Sequence, residues 1–159
     1  MGSRKVHIDP EITEFDSFND LPEAVQRLVK TAKEISTSAY APYSKFMVGS
    51  AVLLENGVVV AGCNQENAAY PSGLCAERVA LFSAHANYPG VNIKIITIFG
   101  KGLNKEVLEP VAPCGACRQV ISEYEDLAKE KIDIYMAADN KVLHAKGIES
   151  LLPFRFRLL

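Results

Sequence analysis

The order of apolar and polar positions divides the chain into alternating helical and strand-like stretches. Val25, Leu28, Ala32 and Ile35 recur at three- and four-residue spacing, which lines one face of a helix. Asp20, with Glu23 three residues on, predicts a capping box at its start, and Ala41-Pro42-Tyr43-Ser44 its end. Phe46 to Leu54 and Val58 to Cys63 are apolar runs on either side of Glu55-Asn56-Gly57, the pattern of a β-hairpin. Asn64 to Leu74 reads as a loop carrying Pro71, Ser72 and Gly73. Cys75 to Ala86 reads as a helix whose Ala76, Val79, Ala80 and Ser83 make a face small enough to lie close on a sheet. Ile93 to Phe99 is rich in β-branched residues and predicts a strand covered on both faces. After a longer loop to Ala112, Pro113 can open a helix that runs to about Lys129. Ile132 to Ala137 and Val142 to Ala145 predict two short strands, and Gly147 to Leu152 a short helix before Pro153. Residues 1–20 show no such period and read as an irregular leader. Helices alternating with strands after a hairpin imply an α/β sandwich with a mixed sheet, formed as one domain over residues 21–159.

A length of 159 residues suits a single compact core. The net charge of -2 and a pI near 5.9 argue against a dedicated nucleic-acid partner, which needs a basic stripe. The nearest thing to a basic cluster is Arg155 with Arg157. No apolar run approaches the roughly 20 residues of a membrane helix, and Met1 to Pro10 lacks the apolar centre of a signal peptide. The expectation is a cytoplasmic protein with no membrane partner. In that reducing compartment the four cysteines point to metal binding or catalysis rather than to disulfides.

Cys114 and Cys117 form a Cys-x-x-Cys pair. On a first helical turn they share a face and two thiolates could grip one zinc ion. The same pair could be a redox dithiol, half of a structural zinc site, or packing. Cys75, at another predicted helix start, adds a third thiol. Three protein ligands leave one tetrahedral position for water, as catalytic zinc sites do. Cys63 competes for that fourth position, although a buried small side chain is its plainer reading. Glu77 lies two residues beyond Cys75, and on a regular helix the two would splay apart. They converge only if Cys75 sits at an irregular cap. An acidic residue is in any case favoured in a first helical turn. Three thiolates and one zinc ion sum to -1, so Arg78 and the two helix N-termini are candidates for balancing the charge. His7, His85 and His144 have no spacing that would join this set, and read as structural or surface residues.

Cys75-Ala76-Glu77-Arg78, taken with Pro113-Cys114-Gly115-Ala116-Cys117-Arg118-Gln119, closely resembles the signature of cytidine deaminases of the small, homotetrameric, zinc-dependent type. Ala41-Pro42-Tyr43-Ser44-Lys45-Phe46 with Val48-Gly49, Gly62-Cys63-Asn64-Gln65-Glu66-Asn67-Ala68, and Leu151-Leu152-Pro153-Phe154-Arg155-Phe156 extend the resemblance over roughly residues 22 to 156. Met47 departs from it, standing where many relatives carry proline. The resemblance implies a three-layer α/β/α sandwich with a five-stranded mixed sheet, and one zinc ion per subunit held by Cys75, Cys114 and Cys117. It implies hydrolytic deamination of free cytidine and deoxycytidine to uridine and deoxyuridine with release of ammonia, a step of pyrimidine salvage. Zinc would activate water, with Glu77 as the shuttle that takes its proton to ring N3 and then helps to protonate the departing ammonia. Ala76 would offer backbone hydrogen bonds to the pyrimidine. Asn64 and Glu66 would bind the ribose hydroxyls, and Phe46 would stack on the base. Phe156, chosen over Phe154 by its spacing from Leu151-Leu152-Pro153, would reach the site of a neighbouring subunit in a homotetramer.

Three rivals stand against that reading. A redox dithiol protein leaves Cys75, Glu77 and the Asn64–Glu66 loop without a purpose. A structural zinc module using Cys63 predicts zinc without turnover. Antibiotic and nucleic-acid deaminases share the zinc chemistry. The acidic balance disfavours a polynucleotide, while Arg78, the ribose loop and the aromatic tail favour a free nucleoside.

Overall fold

The computed structural model describes residues 3–102 and 107–158. Its six strands are β1 (Ile12–Phe15), β2 (Phe46–Leu54), β3 (Val59–Cys63), β4 (Ile93–Gly102), β5 (Asp133–Ala137) and β6 (Val142–Lys146). Its helices are α1 (Glu23–Ser36), α2 (Ala76–Asn87) and α3 (Gly115–Ala128). The strands form one sheet in the order β1-β6-β5-β4-β2-β3. Only β4 and β5 run parallel, joined by a crossover through α3, so the sheet is mixed as expected.

Two apolar layers cover the sheet. On one face Val25, Leu28, Val29 and Ala32 of α1 pack on Ala51, Phe99, Tyr135 and Ala137. On the other, Ala80, Leu81 and Ala84 of α2 and Ile121 of α3 pack on Val52, Ile96, Ile98, Ile134 and Met136. This is the expected α/β/α sandwich, with one strand more than the expected five. The extra strand is β1, which lies inside the stretch expected to be irregular. It pairs antiparallel with β6, from Ile12 opposite Ala145 to Phe15 opposite Val142, and the Glu11 N–H donates to Ser150 Oγ.

The start of α1 differs from the expected capping box. Pro22 occupies the cap and no side chain bonds the first turn, because Asp20 closes a short 3₁₀ turn over Phe18–Asp20 instead. The helix also stops at Ser36, ahead of Ala41-Pro42. The Ser36 and Thr37 hydroxyls donate to the carbonyls of Lys33 and Glu34 and compete with the helical ladder there. The hairpin turn falls where predicted, with Gly57 at φ 85°.

Gly62 of β3 sets the position of α2. A methyl group there would lie 2.7 Å from Ala80 N and 3.0 Å from Ala76 O, so only glycine admits the helix at this depth. The small face of α2 is used as expected, with Ala76 and Ala80 fully buried. No helix among the described residues is long and apolar enough to cross a membrane.

Candidate active site

The N-termini of α2 and α3 meet on one side of the sheet and bring three thiols together. Cys75 is the N-cap of α2 and Cys114 the N-cap of α3, both in extended backbone. Cys117 lies one turn into α3 and is fully buried. Cys75 Sγ stands 3.7 Å from Cys114 Sγ, and Cys114 Sγ 3.5 Å from Cys117 Sγ. All three sulfurs lie within 4.8 Å of one another. Thiolates bound tetrahedrally at a Zn–S distance of about 2.3 Å stand about 3.8 Å apart, so the donor set fits a zinc ion. Cys63 is outside this group; it is buried at the end of β3, where its sulfur accepts from Gln65 Nε2. His85 packs on Tyr124, and His144 stacks on Tyr135 and pairs with Asp133, so neither joins the thiols. His7 is exposed in the N-terminal stretch.

The ionisation of the cluster follows from its contacts. The Cys75 thiol is drawn down to about 5, first by the hydrogen bond from Cys117 and then by Arg78 and Cys114. Cys117 moves up, because it donates to Cys75 and because it is buried. Of these two thiols Cys75, at the mouth of two helix N-termini, is the one that favours the thiolate. Arg78 Nη2 lies 3.7 Å from Cys75 Sγ, and that contact raises the guanidinium pKa further.

Glu77 is buried in the first turn of α2. The extended cap conformation of Cys75 meets the geometric condition for the two side chains to converge. Burial raises the Glu77 pKa and the Cys75 charge adds to the rise, while the Cys117 thiol and Arg78 pull it down. A carboxyl held above its ordinary range beside three thiols is a candidate for taking up and returning a proton.

Beside the cluster a cleft of about 480 Å³ is lined by Asn64, Glu66, Tyr70, Leu74, Cys75 and Arg78, among others. Asn64 and Glu66 therefore share a wall with Cys75, and both are partly engaged. Asn64 Oδ1 accepts from Val48 N–H and its Nδ2 donates to Phe46 O, which leaves one N–H and one lone pair for a ligand. Glu66 Oε2 accepts from the Tyr43 and Ser44 N–H groups. The Ser44 side chain, followed by these backbone donors and Lys45, holds the Glu66 carboxyl below its ordinary range, and Oε1 stays available. Phe46 faces a second cleft of about 510 Å³, with Gly100, Lys101 and Val111, that meets the first at Ser44. Ala76 is buried at the first turn of α2. Phe156 lies on the C-terminal tail, exposed, and lines neither cleft.

Three contributors carry no signal in the sequence beyond their place in a motif or loop. Ser44 shapes Glu66. Tyr70, exposed in a 3₁₀ turn, meets Tyr43 edge-on across the cleft. Arg118 donates to the Pro113 and Leu151 carbonyls at 2.7 and 2.8 Å, joining the loop before Cys114 to the root of the tail.

The family model for the cytidine and deoxycytidylate deaminase zinc-binding region matches residues 22–131. The chain belongs to this family of deaminating enzymes. Among curated relatives, the cytidine deaminase of Sporosarcina psychrophila is 38% identical over 133 residues, covering 83% of this chain and 90% of the relative. That of Halalkalibacterium halodurans is 37% identical over 131 residues, covering 82% and 92%. The solved structure of cytidine deaminase from Burkholderia pseudomallei is similar with a TM-score of 0.70 and 41% identity, covering 82% of this chain and 97% of that one.

Proposed function

We propose that the chain hydrolyses free cytidine and deoxycytidine to uridine and deoxyuridine with release of ammonia. The observation that carries this reading is the set of three convergent thiols with a buried glutamate beside them and a cleft at Cys75. Cys75, Cys114 and Cys117 hold one zinc ion per subunit. When bound, zinc acts as a Lewis acid that makes water acidic enough to serve as a nucleophile near neutral pH. Glu77 receives one proton of the attacking water and passes it to pyrimidine N3, where it stays in the product. It then takes the second proton from the new C4 hydroxyl and hands it to the amine, which leaves as ammonia as the C4–N bond breaks and the C4 carbonyl forms. Its raised pKa suits both directions of transfer.

The remaining roles belong to binding. Arg78 offsets the negative charge gathered on the thiolates. The Ala76 backbone, in the first turn of α2 where amides lack partners within the helix, hydrogen-bonds the pyrimidine. Asn64 and Glu66 take the sugar hydroxyls with their free N–H, lone pair and Oε1. Phe46 stacks on the base from the adjoining cleft. Phe156, on a solvent-facing tail, enters the site of a neighbouring subunit, which makes a homotetramer the working form. The acidic overall charge favours a free nucleoside over a polynucleotide.

The test is conversion of cytidine to uridine, followed by ultraviolet absorbance, with and without a zinc chelator. Zinc-loaded protein is expected to convert cytidine and to lose that activity with its zinc. Folded, zinc-loaded protein that leaves both cytidine and deoxycytidine unchanged would overturn the proposal.

A further inference from the structure

Beyond Pro153 the chain lies against α3 without helix or strand, and its side chains alternate in exposure. Phe154, Phe156 and Leu158 are 77%, 69% and 91% exposed. Between them, the Arg155 side chain is only 14% exposed and Arg157 46%. The charged side of the tail is held and the apolar side is displayed.

The hold is specific. Arg155 Nη1 donates to Glu125 Oε2 at 3.1 Å, and its Nη2 lies 3.7 Å from Asp126 Oδ1. Glu125 is 5% exposed, and its Oε1 accepts from the N–H groups of Ile132 and Ile148 at 3.0 and 2.9 Å. One carboxylate thus fixes α3 to the start of β5 and to the turn that leads into the tail, and still presents an oxygen to Arg155. Arg157 makes two bonds to Asp126, at 2.8 and 2.7 Å, and Gln119 Nε2 donates to the Phe156 carbonyl at 3.0 Å. Phe156 is therefore flanked on both sides by arginines seated on α3, the helix whose first turn carries Cys114 and Cys117.

We infer that Arg155 is a positioning residue for Phe156. Its ion pair with buried Glu125 sets the register of the tail, so that the odd-numbered arginines face α3 and the phenylalanines face outward at a fixed place along that helix. The inference rests on the reading that Phe156 serves a neighbouring subunit's site. A slip of one residue would bring the phenylalanines to the places on α3 that the arginines hold, because held and displayed side chains alternate along the tail. The Arg155 fork resists that slip, since the buried carboxylate would lose its charged partner.

The experiment is a double-mutant cycle on the zinc-loaded enzyme, with KM and kcat for cytidine measured for F156A, R155M, R155K and R155M/F156A. Loss of an aromatic stacked on a base corresponds to roughly a tenfold or larger rise in KM, which is expected for F156A. R155M is expected to raise KM about three- to tenfold with zinc content unchanged and kcat moved less. R155K, which keeps the charge, is expected to recover most of that rise. In the F156A background R155M is expected to add nothing. A normal KM for R155M beside an impaired F156A would overturn the positioning role. So would an R155M effect of equal size in both backgrounds, since Arg155 would then act through something other than Phe156. A silent F156A would overturn the placement of Phe156 itself, a separate failure. Should R155M fail to fold, R157A with R157A/F156A runs the same cycle at the more exposed anchor, with the same outcomes deciding.

Discussion

Cys75 and Cys114 stand where a helix usually carries serine, threonine or aspartate, and neither makes a side-chain capping bond. The amides of both first turns are left facing the thiols, an arrangement that favours thiolate over thiol. At Glu77 the environment works the other way, because burial favours the neutral acid. Groups two residues apart are thus shifted in opposite directions, as the proposed division between metal holding at Cys75 and proton transfer at Glu77 requires. Glu77→Gln preserves the shape of the side chain and removes the proton acceptor. It is expected to keep zinc and to lose about 10²- to 10⁴-fold in turnover, read from kcat at fixed zinc content. Turnover close to the parent level would remove Glu77 from the mechanism.

At the scale of elements, α2 owes its place to Gly62. Gly62→Ala puts a methyl group into the backbone of Ala76 and Ala80, and overpacking of this kind costs typically about 1–3 kcal/mol. Thermal unfolding is expected to shift down, and zinc content to fall with it because Cys75 caps the displaced helix. A variant that melts lower yet retains full zinc would show that the thiols tolerate movement of α2. The elements that the sequence declared openly are those with a local cause. The β2–β3 hairpin follows from two apolar runs around Asn56-Gly57, and α2 and α3 begin beside the cysteines that mark them. Features with a distant cause could not be read. Ile-Thr-Glu-Phe becomes β1 only because β6 offers it an edge. The Asp20 and Glu23 box gives way because Pro22 lies between them and the chain turns there first. Glu125 looks like one more helical acid until Ile132, Ile148 and Arg155 close around it.

Across the whole molecule, Asp139 joins parts far apart in the chain. Its Oδ1 accepts from Lys33 of α1 at 2.6 Å, and its Oδ2 from the N–H of Val107 at 3.0 Å. The Lys33 contact, more than the Val107 bond, holds its pKa below the ordinary 3.8. A depressed carboxylate contributes stability above its unfolded pKa, and that contribution disappears as pH falls through the folded value. Asp139→Asn is therefore expected to cost about 0.5–1 kcal/mol at pH 7, a modest figure because Lys33 is half exposed. Urea titrations should show the gap from the parent protein closing as pH drops below about 4. A gap that stays constant to pH 3 would mean that the carboxylate charge is not its source.

The pairing of β1 with β6 also orders events in time. Glu11 and Ser150, which bond where the two strands meet, are 139 positions apart. During synthesis β1 leaves the ribosome well before β6 and must wait for it, while the strands and helices between them can assemble with near neighbours. Closing so long a loop adds only slowly to the entropic cost, but it must come late. Zippering of β1 onto β6 therefore waits for β6, and a nascent protein stalled before Val142 carries β1 unpaired and open to proteases and to other chains.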